Sequence, residues 1–258
     1  ASDVYKRQVP AGLVIDGKGY RDTDLSNEEF WRLFYQAKEQ PTTSAVSPAD
    51  FAHAFADLAK STDSMVCIAV SRVLSATYQA ALQAKEMVSL EYPNLRIEVI
   101  DSKTASGAQG FIVIEAARAA RAGKSLAEVV QVAEQMIPRV KFVVAMDTLK
   151  YLIKSGRAPK TAVVGDVLQV KPIIGMVSGT GLVESLGRVR GRRKALEKIV
   201  EMAKEHIDPT KPLHVMFHYT DGVAPGEELK ELVTSQLKCK EVYLTPGSSI
   251  LPCTSAGK

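Results

Sequence analysis

The segment Met65–Gln79, MVCIAVSRVLSATYQ, sets the architecture of this chain. Its first part, Met65–Val70, is an unbroken apolar run rich in β-branched residues, which is typical of a strand buried on both faces. A short polar turn follows Ser71, and we expect a helix to begin at Ser75. The inward stripe of that helix is predicted to be Ala76, Ala80, Ala84, Met87 and Val88.

The junction between this strand and this helix is a candidate ligand site. Ligands of α/β folds bind where a strand ends and a helix begins, and the free N–H groups of a helix N-terminus favour an anion. The hydroxyls of Ser71, Ser75 and Thr77 are expected at this place. Ser75 has a second interpretation, because serine is a preferred N-cap residue, and the segment read alone favours capping over ligand binding.

Length, composition and charge limit the class of protein. The chain has 258 residues, 46% of them hydrophobic, which suffices for one large domain or two small ones. A net charge of +4 is mild and does not by itself indicate nucleic-acid binding. No apolar run approaches the roughly 20 residues of a membrane span, and no signal peptide is readable at the charged start.

The cysteines and histidines do not predict a metal site. The three cysteines, Cys67, Cys239 and Cys253, fit no zinc spacing and favour a reducing cytoplasm. Cys67 falls in the buried strand, where we expect it to act as a small hydrophobic residue. His214 and His218 flank a predicted strand, where a spacing of four does not converge on one ion as it would on a helix.

The order of the predicted elements indicates an α/β protein. Up to residue 147 we expect a strand with a tight return (11–22), helices from 27 and 48 around a polar loop (40–48), the strand at 65–70 and its helix, a strand at 95–100, helices at 111–121 and from 126, and a strand at 140–146. Strands that alternate with helices across short loops predict a parallel sheet with helices on both faces.

The pattern changes after Asp147, where we place a domain boundary. A short helix (148–154), an antiparallel strand pair around the turn SGTG, a helix (193–207), a strand (213–217), a helix (225–237) and a strand (242–244) are expected there. The predicted division is an N-terminal α/β domain (9–147) and a C-terminal mixed α/β domain (148–258) with a truncated last strand. Residues 1–8 fit none of these patterns, and we treat them as a non-native lead.

Four polar segments at predicted strand or helix ends carry the candidate binding groups: residues 42–44, 71–77, 101–106 and 155–157. They hold mostly hydroxyls, and no His–carboxylate or Cys–His pairing is readable near them, so a nucleophilic hydrolase has little support. Neither phosphate-binding glycine motif is present, so nucleotide binding through them is unsupported. Hydroxyls at a helix start suit a carboxylate or phosphate that is held and not transformed.

Six segments resemble, in order, motifs of the DegV family of bacterial fatty-acid-binding proteins. They are PTTS with SP at 41–48, SRVLSATYQ at 71–79, VIDS at 99–102, DTLKYLIKSGR at 147–157, VKPI at 170–173 and RVRGRRKAL at 188–196. Any one of them would be a weak signal, but together they follow the family order over nearly the whole chain. The resemblance implies a two-domain α/β fold with a buried acyl tunnel between the domains.

The resemblance also implies a function. Family members hold the carboxylate of a long-chain fatty acid with hydroxyls that match Thr43 and Ser75, near which Ser44 and Ser71 lie in sequence, and the arginine that matches Arg157 is near the head group. Some members present the acid to a fatty acid kinase, and the binding protein itself does no chemistry. The implied protein is a cytoplasmic, non-enzymatic lipid carrier with no cofactor besides its ligand, no membrane span and no nucleic-acid partner.

Three departures from the family pattern bear on the head group. The family's opening D-S-[ST]-x-D strand has no match here. The family's head-group histidine aligns with Cys253, and a thiol binds a carboxylate more weakly than imidazole does. Ala76 and Ser155 stand where the family has glycine, the residue that adopts a positive φ at no cost.

The acyl tail would supply most of the affinity. Each buried methylene contributes about 0.8 kcal/mol, so a chain of about 16 carbons offers on the order of 10 kcal/mol before ordering costs. Most buried apolar residues only pack, which is the favoured interpretation for each candidate for the tunnel wall. Those candidates are Phe111, Ile112, Ile114, Leu168, Ile173, Ile174 and Met176.

Two other functions remain open from the sequence. An enzyme acting on acyl or phosphorylated small molecules could use Asp101 or Cys253. A regulatory or nucleic-acid-binding protein could use the basic run at residues 188–194, whose charges at 192–194 oppose the dipole of the helix that starts there. The plain alternative for that run is a solvated face.

Overall fold

The computed structural model describes residues 7–158, 169–208 and 210–247, to which all structural statements below refer. They form two compact units. The first unit contains residues 7–12, 44–142 and 176–182, and the second contains residues 13–43, 143–158, 169–175, 183–208 and 210–247. One passage between the units, at 142–143, lies near the boundary that we predict after Asp147, and that boundary stays a prediction.

The elements follow one another with short connections. In chain order they are β1 (Gly12–Ile15), β2 (Lys18–Arg21), α1 (Asn27–Gln36), β3 (Thr42–Ser44), α2 (Pro48–Ala59), β4 (Ser64–Ala69), α3 (Thr77–Glu91), β5 (Arg96–Asp101), α4 (Ser106–Arg121), α5 (Leu126–Met136), β6 (Val143–Ala145), α6 (Lys150–Lys154), β7 (Val170–Met176), β8 (Val183–Arg190), α7 (Arg192–His206), β9 (Leu213–Tyr219), α8 (Ala224–Thr234) and β10 (Cys239–Pro246).

The predicted central strand is β4, and both of its faces are covered. It pairs in parallel with β5, from Ser64 opposite Arg96 to Ala69 opposite Asp101. On one face, Met65 and Cys67 pack against a cluster built from α2 and α3. On the other, Val66 and Ile68 pack against a cluster built from α4 and α5. The apolar run therefore packs on both faces, as predicted, although Ala69 alone among the residues of β4 is fully buried.

The inward stripe of α3 differs in part from the prediction. The buried residues are Ala80, Ala81, Ala84 and Val88, whereas Met87 is half exposed and Ala76 is exposed. Packing against α2 centres the buried face on the side of Ala81, and Met87 lies about 120° around the helix from that residue. The alanines leave room for α2 to approach closely.

Three helices begin as their sequences predict. Ser26, Ser47 and Ser125 each accept a hydrogen bond from the backbone N–H of the third helical residue, whose own carboxylate accepts one from the backbone N–H of the serine. These capping boxes satisfy N–H groups that have no partner inside the helix. The starts of α1, α2 and α5 are thus determined locally.

Predictions that depend on distant partners were less accurate. The polar segment at 40–48 is not all loop, because Thr42–Ser44 forms β3 beside β1 in a sheet of order β2–β1–β3. The strand expected at 140–146 is confined to β6, which pairs antiparallel with β7 and not with the parallel strands. Helix α4 begins at residue 106 and not at 111, since two glycines made its first turn resemble a loop.

The second unit is mixed in character. β6, β7 and β8 form one sheet, while β9 and β10 pair in parallel. One face of that parallel pair packs against α7 and α8 through Val200, Phe217 and Val233. Parallel and antiparallel pairings combined with helices confirm the predicted α/β class. Within the described parts of the chain, no helix is both long and apolar enough to pass through a bilayer.

Candidate hydroxyl site at the start of α3

The loops that follow β4 and β5 are tied to each other. The Ser71 N–H donates to the Thr104 carbonyl over 2.9 Å, and the Ser102 N–H donates to the Ala69 carbonyl over 3.0 Å. Ser71 and Ser102 are fully buried. Because the two strands are parallel, their carboxyl ends meet here, and the crossed bonds hold the two loops as one rigid platform.

Asp101 belongs to this platform. Its Oδ1 accepts hydrogen bonds from the backbone N–H groups of Arg72 (3.2 Å) and Lys103 (3.0 Å). Its Oδ2 lies 3.5 Å from Nε of Arg72, and its side chain is only 11% exposed. The carboxylate of Asp101 therefore holds the two loops together.

Helix α3 starts two residues later than predicted. Its N-cap is Ala76, with φ −69° and ψ 0°, and this residue makes no side-chain capping bond. The assigned cap is thus one residue later than predicted, although the Ser75 hydroxyl still accepts the N–H of Thr77, the first residue of the helix. Ala76 has a helical conformation, so no glycine is needed at this position.

Ser75 and Thr77 form a hydroxyl pair at this helix start. The Oγ of Ser75 lies 2.8 Å from the Oγ1 of Thr77, and it also accepts a bond from the Thr77 N–H over 3.3 Å. One proton serves the bond between the two hydroxyls, so the second hydroxyl proton is left to donate elsewhere. Both side chains are half-buried. Such a donor beside the positive end of a helix suits a carboxylate oxygen.

Ser71 uses its hydroxyl within the fold. Its Oγ donates to the Gly181 carbonyl over 3.0 Å and accepts from the Val73 N–H over 3.4 Å. Thr104, also buried, points its Oγ1 at the sulfur of Met176 over 3.9 Å. The turn between β7 and β8 is thereby docked on the platform. Sequence reasoning missed Gly181, whose only signal was the SGTG turn, read there as a simple hairpin.

The remaining predicted site residues are on other elements of the chain. Thr43 is half-buried in the middle of β3 and Ser44 is exposed at its end. Arg157 is half-buried after α6, and its N–H donates to the Leu152 carbonyl over 2.9 Å. Ser71 and Ser75 lie in the turn after β4, and Thr77 is the first residue of α3. Thr43 and Arg157 belong to the second unit, and Cys253 lies outside the described residues.

Two arginines of the basic run, Arg192 and Arg193, form ion pairs within the chain. Arg192, in the first turn of α7, lies 2.5 Å from Glu228 of α8, and Arg193 lies 3.1 Å from Glu197. Two of the charges that oppose the helix dipole are thus offset by carboxylates. Neither contact requires a nucleic acid or a phosphate to explain it.

Two histidines, His214 and His218, make side-chain contacts, and Cys67 is packed in the core. His214 Nδ1 lies 2.8 Å from Glu241, and His218 Nδ1 lies 2.9 Å from the Thr245 hydroxyl. Burial lowers the pKa of His218 and raises the pKa of the Cys67 thiol to about 12. Cys67 is therefore a packed thiol and not a nucleophile. In the described ranges, no group of three or more His, Cys, Asp or Glu side chains is placed to hold a metal ion.

Comparison with known proteins identifies close similarities. A family model described as "Uncharacterised protein, DegV family" matches residues 4–254. A DegV domain-containing protein of Caldanaerobacter subterraneus is 38% identical over 232 residues, which cover 89% of this chain and 80% of the relative.

Two solved structures are similar over almost the whole chain. One, described as showing fatty acid binding of a DegV family protein from Thermus thermophilus, has 28% identity and a TM-score of 0.84, covering 96% of this chain and 87% of that one. The other, a stearic acid-binding protein from Eubacterium ventriosum, has 25% identity and a TM-score of 0.86, covering 96% and 86%.

Proposed function

Because the chain belongs to the DegV family, we propose that it is a carrier that binds one long-chain fatty acid without transforming it. The observation that carries this proposal is the hydroxyl pair of Ser75 and Thr77 at the start of α3, which leaves one donor for an acid head group. Two similar structures, from Thermus thermophilus and Eubacterium ventriosum, are described as binding a fatty acid or stearic acid, which supports the same ligand class.

In this proposal Ser75 donates its hydroxyl proton to the carboxylate. Thr43, Ser44 and Arg157 are proposed head-group residues from the family resemblance alone. Ser71 receives a different role from the ligand contact that its place at the strand–helix junction predicts, because its hydroxyl proton already goes to the Gly181 carbonyl. Its hydroxyl shapes the site and does not touch the ligand.

The division of labour between head and tail follows from the energies. Burial of about 16 methylene and methyl groups offers on the order of 10 kcal/mol before ordering costs. One charge-assisted hydrogen bond adds about 1.5–3 kcal/mol. The tail thus supplies most of the affinity, and the hydroxyls make the site selective for a ligand with a carboxylate head group.

The alternatives draw less support from the described residues. The Asp101 carboxylate, which an enzyme could use, is held by Arg72 and two backbone N–H groups. Two arginines of the basic run, Arg192 and Arg193, have carboxylate partners at Glu228 and Glu197. Hand-off of the bound acid to a fatty acid kinase stays a prediction from the resemblance.

Calorimetric titration tests the proposal. Delipidated protein should bind palmitic acid saturably at one site per chain, and Ser75→Ala should weaken that binding about tenfold through loss of one charge-assisted bond. The matched control is Ser89→Ala, which removes an exposed serine from the same helix whose hydroxyl only contacts the Glu86 carbonyl. Absence of saturable binding, or equal losses in the two variants, would contradict the proposal.

A further inference from the structure

We infer that Gly181 is a positioning residue for Ser75 and acts through Ser71, an inference that rests on the proposed function. All three residues lie in the first unit. The route has two contacts. The Gly181 carbonyl accepts the Ser71 hydroxyl over 3.0 Å, and the Ser71 carbonyl accepts the Ser75 N–H over 3.2 Å.

The turn from 71 to 75 is built on Ser71. Besides the bond from Ser75, the Ser71 carbonyl accepts the Leu74 N–H over 2.9 Å, and the Ser71 Oγ accepts the Val73 N–H. The amides of Val73, Leu74 and Ser75 therefore all donate to Ser71. If Ser71 shifts, the Ser75 hydroxyl shifts with it.

Gly181 in turn fixes where Ser71 can be. Its φ is +76°, a conformation that glycine adopts without strain. A Cβ at this position would overlap the Ser71 Oγ and would lie 3.0 Å from the Cα of Lys103, which is backbone and cannot swing away. Ser71 is fully buried beneath this contact. The close approach that only glycine allows is therefore the contact that sets the head-group turn.

The same turn contains a matched control. Gly179 also has a positive φ, +92°, but a Cβ there would meet nothing within 4 Å. Alanine at 179 and alanine at 181 thus carry the same kind of backbone strain. Only alanine at 181 also pushes on Ser71.

The experiment compares Gly181→Ala with Gly179→Ala in two binding titrations, one with palmitic acid and one with hexadecanol. The alcohol keeps the tail and lacks the carboxylate, so the ratio of the two affinities reports on the head group alone. Gly181→Ala should lower the ratio about tenfold, as expected when a charge-assisted bond is lost, and Gly179→Ala should leave it within about twofold of wild type. Equal ratios in the two variants would overturn the inference.

A second measurement does not depend on any ligand. Hydrogen exchange at the Leu74 and Ser75 amides should be faster in Gly181→Ala than in Gly179→Ala, because both amides donate to the Ser71 carbonyl. If Gly181→Ala does not fold, Ser71→Ala removes the same contact without added volume and should give the same loss of ratio. Unchanged exchange and an unchanged ratio in Ser71→Ala would overturn the inference, whereas a wild-type protein that binds no palmitic acid would overturn the proposed function itself.

Discussion

Thr77 contacts Ser75 through both its backbone and its side chain: its N–H donates to the Ser75 Oγ over 3.3 Å, and its own hydroxyl lies 2.8 Å from that same oxygen. The Ser75 hydroxyl is thereby held at two points. When the Thr77 hydroxyl donates to Ser75, the Ser75 proton is directed away from the helix and is available to an anion.

This geometry predicts that Thr77→Val weakens binding of a fatty acid. Valine keeps the shape of threonine but cannot donate to Ser75, so the Ser75 hydroxyl loses its orientation, and we expect about a fivefold loss of affinity for palmitic acid. Thr77→Ser retains the hydroxyl and should stay within about twofold of wild type. Titration calorimetry measures both. A Thr77→Val protein that binds as tightly as Thr77→Ser would show that the hydroxyl pair has no role.

The capping box of α5 makes a prediction about stability. Ser125→Ala removes the oxygen that accepts the Glu128 N–H, and loss of such a cap costs about 1 kcal/mol of unfolding free energy. Ser89→Ala, in the interior of α3, should cost less. Chemical denaturation followed by circular dichroism measures the difference, and equal effects of the two substitutions would contradict the assigned cap.

The stabilisation from this capping box should depend on pH, because Glu128 is one of its two partners. The bonds that it accepts from the Ser125 side chain and backbone lower its pKa below the ordinary value of 4.5. A carboxylate whose pKa is lowered by folding stabilises the fold above its unfolded pKa and loses that contribution as the pH falls through the folded value. Glu128→Gln should therefore flatten the fall in melting temperature below pH 4.5. A variant with the same acid limb as wild type would contradict this assignment.

His218 should also make stability depend on pH, in a higher range and in the same direction. Burial lowers its pKa, while a bond to the Pro246 backbone raises it by less. The folded state then binds this proton less readily than the unfolded chain does, so stability should fall as the pH drops below about 6.5. His218→Asn keeps a nitrogen near the Thr245 hydroxyl without a titrating ring. Its melting temperature should change less than that of wild type between pH 7.5 and 5.5, and an equal change would rule out His218 as the source.

Cys253 stands where the family resemblance expects the head-group histidine, outside the described residues. Histidine can donate a hydrogen bond to a carboxylate, and when protonated it also adds a positive charge, whereas a thiol is a weak donor. Cys253→His should therefore raise the affinity for palmitic acid several-fold, by about 1 kcal/mol, and more at pH 6 than at pH 8. Equal affinities of the two proteins at both pH values would show that position 253 does not reach the head group.

Features determined by neighbouring residues were predictable from the sequence. The caps at Ser26, Ser47 and Ser125 each follow from a short motif, and the apolar run of β4 predicts its burial. The α/β class follows from the alternation of such elements. These signals involve residues within a few positions of one another, so no knowledge of the distant chain is required.

Features determined by distant partners were not predictable. Thr42–Ser44 is polar and becomes a strand only because β1 lies beside it. β6 was assigned to the wrong sheet because its partner, β7, comes later in the chain. At the site, the role of Ser71 depends on Gly181, which is 110 positions away. The sequence could name the hydroxyls of the loop, but it could not show which of them already had an acceptor.

The ligand content of the purified protein tests the central claim most directly. Protein prepared under native conditions is denatured and extracted with organic solvent, and the extract is examined by mass spectrometry. The intact mass of the same preparation is measured by native mass spectrometry. The account predicts one long-chain fatty acid per chain, present in the extract and as a matching mass increment on the intact protein. A protein of bare polypeptide mass that yields no acyl chain, and takes up none when palmitic acid is added, would contradict it.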